Sequence, residues 1–288
     1  MEDFYSVLLG HFGYPINRKP TRIMYEAGLR AMGLNWRYLL VNVRRESLPG
    51  AIAGLRAFEM RGANLTMPLK TEVIPYLDAL DDSAQLTGAV NTILNEGGKL
   101  TGYNTDGQGQ YDAMMQAGVD PGGKRMVLLG AGGAARAVGV INALHGAEQI
   151  IVVNRSRERG EAVAECIWAA GGSASFLRWE PGMALPDADI VVNATPVGLA
   201  PDTGRPDINY DSIRPGMVVS DAVMNPPRTP FLIEAERRGA KTVDGLSMLV
   251  CQGVYSVEIW TGRRPPAQAM ADALRRCFFN GMEGPKET

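Results

Sequence analysis

The segment MVLLGAGGAARAV, residues 126–138, constrains the fold of this chain more than any other. An apolar run of strand length stops at Gly130, turns through Gly132, and resumes as a small-residue helix pattern. Ala135 takes the third position of a GxGxxA fingerprint. Gly130 permits the tight turn, Gly132 lets a ligand approach the backbone, and Ala135 lets helix and strand pack closely. A helix beginning here offers free amides and the positive end of its dipole. Gly130, Ala131, Gly132, Gly133 and Ala134 are therefore the expected seat of a dinucleotide pyrophosphate. The alternative is a glycine-rich turn that binds nothing. The strand pattern QIIVVN that follows the helix completes a βαβ unit and favours the binding reading.

The end of that second strand discriminates between cofactors. An NAD site usually places a carboxylate there to hold the ribose hydroxyls. This chain places Asn154, followed by Arg155, Ser156, Arg157 and Arg159. Arginines at this edge suit a 2′-phosphate, so NADP is expected, with NAD possible. The competing reading is a solvated helix start.

Short strand-like runs alternate with helical patterns along the whole chain, which predicts an α/β class without internal repeats. The candidates before residue 106 are SVLLG, YLLVNV, GANLTM, NTILN and LTGYN, with an amphipathic helix from Ser47, its expected N-cap, to Met60. After MVLLG, the runs QIIVVN, DIVVNAT, MVVSDAV and KTVDG predict a doubly wound parallel sheet of Rossmann type. The last forty residues read as helices that return to the N-terminal domain. The expected domains are 1–106 together with 250–288, for substrate and catalysis, and 107–249 for the cofactor. With 288 residues and 45% hydrophobic content, the chain is long enough for two packed domains.

A net charge of -2, with no long run of one sign, argues against nucleic acid and against a charged membrane surface. No signal-peptide pattern or membrane span is visible, so a cytoplasmic protein is expected, as monomer or homodimer. Cys166, Cys251 and Cys277 lack metal-like spacing and read as reduced, mostly buried thiols. His11 and His145 have no candidate ligand nearby in sequence, so no metal is expected and the acid–base group is another residue type.

Seven segments in order, NLTMPLK, GAVNTI, GYNTDG, GAGGAARAV, NRSRER, VNATPVGL and DGLSMLVCQG, resemble the shikimate dehydrogenase family, which includes quinate/shikimate dehydrogenases. The resemblance implies that Lys70 and Asp106 form the catalytic pair and that Thr66, Asn91 and Gln252 hold substrate hydroxyls. It also implies that Thr195, Val223, Gly245 and Met248 lie near the nicotinamide. The residues agree chemically, since oxidising a secondary alcohol needs a proton acceptor and lysine is the natural one without histidine. Singly, each has a plainer reading: Lys70 as a solvated lysine at a helix start after Pro68, Asp106 as turn chemistry before Gly107, Asn91 as a turn cap.

The chain departs from the family where the substrate carboxylate is held. The motif G-x-P-I-x-H-S-x-S-P is GYPINRKPTR here, with Lys19 and Thr21 for the two serines and Arg18 for the histidine. Met224 stands for the tyrosine of D-x-x-Y-x-P-x-x-T-P. Three consequences stay open: a charge-assisted contact from Lys19 or Arg18, a related ring compound as substrate, or basic side chains in solvent with Thr21 alone in its role. The leading reading is an NADP-linked dehydrogenase acting on a small shikimate-like ring acid or polyol. The competitors are quinate or another ring polyol, a dinucleotide-binding metabolite sensor without catalysis, and an amino-acid or folate dehydrogenase of similar plan.

Overall fold

The computed structural model describes residues 6–16 and 20–279. The chain divides into two compact units, 1–105 with 253–288, and 106–252.

The first unit contains β1 (Leu8–Gly13), α1 (Thr21–Ala31), β2 (Arg37–Asn42), α2 (Leu48–Ala57), β3 (Gly62–Leu65), β4 (Ala79–Leu80), α3 (Asp82–Thr87), β5 (Thr92–Glu96) and β6 (Lys99–Tyr103). Its six strands lie in the order β2-β1-β3-β5-β6-β4. β1 is parallel to β2 and β3, whereas β5 runs antiparallel to β3 and β6. α2 covers one face through Leu48, Ile52 and Leu55, which join Phe12, Leu65, Ile93 and Leu100 in one core. Ser47 occupies its N-cap position but makes no side-chain cap bond, and Pro49 in the first turn needs no amide partner.

The second unit contains α4 (Asp106–Gln116), β7 (Arg125–Leu129), α5 (Gly133–Leu144), β8 (Gln149–Asn154), α6 (Arg157–Ala169), β9 (Ala174–Arg178), β10 (Met183–Ala184), β11 (Ile190–Asn193), β12 (Ile208–Asn209), β13 (Val218–Asp221), α7 (Pro230–Arg237) and β14 (Lys241–Val243). Its main sheet, β14-β13-β11-β7-β8-β9, is parallel throughout. Counted from β7, this is the 3-2-1-4-5-6 order of a Rossmann sheet. Strand residues alternate between two cores: Met126, Leu128, Ile150 and Val152 face α5 and α6, while Val127, Leu129, Ile151 and Val153 face Phe231 and Leu232 of α7. β9 is not among the strands expected from sequence; it is an edge strand only partly buried, so its apolar signal is weak.

Two helices follow, α8 (Gly245–Thr261) and α9 (Ala267–Phe279). α8 belongs to the second unit up to Gln252 and to the first from Gly253 onward. Within the first unit, α9 packs on α1 so closely that a Cβ on Gly28 would lie 2.8 Å from Met270 Cγ. Trp260 of α8 is fully buried beside Tyr25 and Tyr38, and its indole donates to Ile93 O at 2.9 Å. The cysteine expectation needs correcting: Cys251 alone is buried, Cys166 is half-buried and Cys277, on α9, is exposed. No described helix is long and apolar enough to cross a membrane.

The seat of Trp260 gives a stability test. A Cβ on Gly62 would lie 2.1 Å from Ile93 O and 2.5 Å from Trp260 Nε1, at the very bond the indole makes. Gly62→Ala is expected to destabilise the first unit by about 1–3 kcal/mol, the usual cost of overpacking, read as a lower urea midpoint.

Candidate functional site

The glycine-rich turn between β7 and α5 is tightly constrained at Gly130 and open at Gly132. Gly130 sits at φ +107, a conformation reserved for glycine, and a Cβ there would lie 2.9 Å from Thr195 Cγ2. Gly132, the N-cap of α5, has no side-chain cap bond, and nothing lies within 4 Å of where its Cβ would be. The first-turn amides of Gly133 and Ala134 therefore face an open approach, the arrangement a pyrophosphate requires.

At the end of β8, Asn154 Nδ2 donates to Ser156 O at 2.9 Å, and Ser156 Oγ caps α6 by accepting from Arg159 N. Arg157 is occupied by Glu161 at 2.8 Å and lies over the Phe176 ring. Arg155 and Arg159 are exposed and make no ion pair among the described residues. These groups fit an NADP molecule: Gly132–Ala134 for the pyrophosphate, and Arg155 and Arg159 for a 2′-phosphate.

Thr195 and Val223 follow β11 and β13, and one buried carboxylate ties them together. Asp221, at the end of β13, accepts through Oδ1 from Asn193 Nδ2 and from Val223 N, both at 2.9 Å, and through Oδ2 from Thr229 Oγ1 at 2.7 Å. Asn193 in turn accepts through Oδ1 from the Thr195 hydroxyl at 2.6 Å and from the Thr195 amide at 3.1 Å. Gly245 opens α8 beneath Val223, where a Cβ would lie 2.3 Å from Val223 O. Gly130, Thr195, Val223 and Gly245 are thereby gathered at the carboxyl ends of the parallel strands, where α/β sheets bind ligands. Met248, by contrast, is packed in the apolar core with Val243 and Cys251. Burial pushes Asp221 up to about 6, against the hydrogen bonds from Thr229, Val223 and Asn193.

In the first unit, Thr66, Lys70 and Asn91 lie where β3 ends and β5 begins. Asn91, just before β5, is buried with its carboxamide locked: Oδ1 accepts from Thr105 N at 2.9 Å and Nδ2 donates to Thr105 Oγ1 at 3.0 Å. Because a backbone amide only donates, this fixes which way the amide points. Behind it lies a buried polar layer. Tyr38 donates to Asn64 Oδ1 at 2.7 Å, and Asn64 Nδ2 reaches Asn91 O, Thr92 Oγ1 and Ser256 Oγ at 3.1, 3.0 and 3.2 Å. Burial raises the Tyr38 phenol well above its ordinary pKa, so it remains a donor.

Thr66 leaves β3 against Gly13, where a Cβ would collide with Thr66 Cγ2. Lys70 is half-buried and lies in a turn rather than at a helix start, since the chain after Pro68 closes turns without forming an α-helix. The Lys70 carbonyl accepts from Val90 N at 2.7 Å, which ties it to the Asn91 segment. Thr21 opens α1, buried, with Oγ1 2.9 Å from His11 Nδ1. Lys19 and Arg18 lie outside the described residues.

Asp106 and Gln252 are buried residues of the second unit. Asp106 is the first residue of α4, so it opens a helix and is not a free turn residue. Gln252 meets α4 at Gly109, where a Cβ would lie 2.5 Å from Gln252 Cβ. Two residues escape a reading of the sequence: Asp221, whose place at the end of an apolar run looks like turn chemistry, and His11, whose partner is reached only by folding α1 over β1. Among the described residues, no cluster of His, Cys, Asp and Glu is suited to a metal ion.

Three family models match the chain: shikimate dehydrogenase substrate binding domain over residues 12–93, shikimate / quinate 5-dehydrogenase over 113–198, and shikimate 5′-dehydrogenase C-terminal domain over 245–275. A shikimate dehydrogenase (NADP(+)) of Moorella thermoacetica is 42% identical over 282 residues, 96% of this chain and 96% of that protein. The ligand-free 5-ketofructose reductase of Gluconobacter sp. strain CHM43 superimposes with a TM-score of 0.88 at 41% identity, covering 96% of this chain and 100% of that one. Shikimate 5-dehydrogenase from Thermus thermophilus, in complex with NADP(H) and shikimate, gives 0.83 at 34% identity, with 94% and 99% covered.

Asp221 also makes a pH prediction. Its folded pKa of about 6 lies above the ordinary 3.8, so its contribution to stability is complete below about pH 4 and is lost as pH rises through 6. Urea midpoints of Asp221→Asn, relative to the parent chain, are expected to rise between about pH 4.5 and 7.5 by the equivalent of about 2–3 kcal/mol. A pH-independent difference would refute the shift.

Proposed function

The chain belongs to the shikimate dehydrogenase family, and we propose that it is an NADP-dependent oxidoreductase interconverting a secondary alcohol and a ketone on a polyhydroxylated ring of shikimate type. One observation carries this reading. Each unit collects its own share of the motif residues at one end of its sheet: Thr66, Lys70 and Asn91 in the first, Gly130, Thr195, Val223 and Gly245 in the second.

NADP, when bound, supplies the hydride acceptor or donor. Gly132, Gly133 and Ala134 hold its pyrophosphate, and Arg155 and Arg159 its 2′-phosphate. Asn91, Thr66 and Gln252 hold ring hydroxyls. The locked carboxamide of Asn91 presents a fixed pattern of donor and acceptor, which orients the ring before reaction and lowers the entropic cost of reaching the transition state. In the oxidising direction the alcohol loses a hydride from carbon and a proton from oxygen. Lys70 accepts that proton and Asp106 acts with it as the acid–base pair; in the reducing direction Lys70 returns it.

A second reading keeps the chemistry and changes the substrate to a neutral polyhydroxylated ketone. It is favoured by Met224, whose thioether offers no hydroxyl donor where the family motif has a tyrosine, and by the Thr21 hydroxyl being already engaged by His11. The similarity to a 5-ketofructose reductase points the same way.

Nicotinamide absorbance with shikimate, quinate and 5-ketofructose, each with NADP(H) and NAD(H), separates the readings. Turnover of shikimate or quinate with NADP supports the first, turnover of 5-ketofructose alone supports the second, and no turnover with any of them refutes both. With the active substrate, Lys70→Ala is expected to lower kcat by about 10²–10⁴-fold while leaving NADP affinity intact. Unchanged turnover in that variant would remove Lys70 from the chemistry.

A further inference from the structure

Asp221 stands outside the set of groups that would touch substrate or cofactor, yet it is a buried carboxylate that joins three separate segments of the chain through two side chains and one backbone amide. An ionised carboxylate only accepts, and its partners Asn193 Nδ2, Val223 N and Thr229 Oγ1 can all donate. Asn193 ends β11 and governs Thr195 through both its hydroxyl and its amide. Val223 lies in the loop after β13, and Thr229 is the N-cap of α7, accepting from Leu232 N. A polar group serving only to fill space at a strand end has no reason to join two ligand-facing loops through one oxygen atom.

We infer that Asp221 is a positioning residue for the nicotinamide half of the cofactor, acting through Asn193 on Thr195 and directly on Val223. The inference rests on the proposed NADP function and on the family resemblance, which implies that Thr195 and Val223 lie near the nicotinamide. The first of these residues presses against Gly130 and the second against Gly245, so the brace sets how far each stands from the glycine turn and from the start of α8. The adenosine half is held elsewhere, at the end of β8, by groups with no bond to Asp221. Loosening the brace therefore weakens one half of the cofactor site and leaves the other.

The test is calorimetric titration of the full chain with NADPH and, separately, with adenosine 2′,5′-bisphosphate, which carries the 2′-phosphate but no nicotinamide. Asp221→Leu removes all three bonds, and Asn193→Ala cuts Thr195 from the brace while sparing Val223. Both are expected to lose about tenfold in NADPH affinity, equivalent to one or two ordinary hydrogen bonds, with bisphosphate affinity unchanged. Asp221→Asn recovers most of the loss, since its amide oxygen still accepts and its nitrogen can donate to Thr229 Oγ1. Parallel weakening of both ligands in folded variants, or NADPH affinity equal to the parent chain, overturns the inference. Where Asp221→Leu fails to fold, Asn193→Ala decides by the same split. A parent chain that binds neither ligand overturns the NADP proposal itself, and this inference with it.

Discussion

The parallel sheet of the second unit is buried on both faces, and that one constraint decides where its polar chemistry sits. Alternate residues of β7, β8 and β11 enter two different apolar cores, so a polar side chain in mid-strand would be stranded without a partner on either side. In β7, β8 and β11 polar groups are confined to the strand ends, with Asn154 and Asn193 the last residues of β8 and β11, and Asp221 likewise ends β13. Their neighbours along the chain, Thr195 and Val223, inherit the position. The polar end of this unit is a consequence of how the core is packed.

The first unit solves the same problem differently. Its sheet carries His11, Asn64 and Thr92 in mid-strand or at first strand positions, all buried. They are tolerated because each finds partners: Asn64 alone engages Tyr38, Thr92 and Ser256. A polar layer of this kind is rigid, because removing any member leaves a buried partner unmet. Asn91 draws on it through the Asn64–Asn91 and Thr92–Asn91 contacts. The Asn91 carboxamide thus rests on a buried polar layer.

This contrast also explains what is legible in the sequence. The second unit announces itself through apolar runs ending in glycine, asparagine or aspartate, so the parallel sheet and the glycine turn can be read directly. β9 escapes because Phe176 and Leu177 are not fully buried and Arg178 ends the run. Asp221 is invisible because its meaning lies in Asn193, 28 positions away. His11 looks idle for lack of nearby ligands, though Thr21 stands ten positions on and meets it in space. Lys70 reads as a helix start because Pro68 is common there, but the chain leaving β3 is held instead by Leu69 N to Thr66 O, which closes a turn, and by Val90 N to Lys70 O, which ties it to the chain before β5.

Ion pairing on the surface of the second unit sets Arg155 and Arg159 apart from most of its arginines. Arg125 and Arg214 share Asp187, Arg205, Arg237 and Arg238 surround Glu234, Arg228 meets Glu236, Arg178 meets Glu180 and Arg157 meets Glu161. Such exposed pairs add little stability, but they show that an arginine in this unit ordinarily has a carboxylate within reach. Arg155 and Arg159 depart from the pattern, flanking the cap of α6 at the end of β8 where the positive end of a helix dipole already favours an anion. A carboxylate supplied by the chain at that edge would compete with a phosphate for the same guanidinium donors. Leaving them unpaired keeps the donors of both guanidinium groups available at the end of β8.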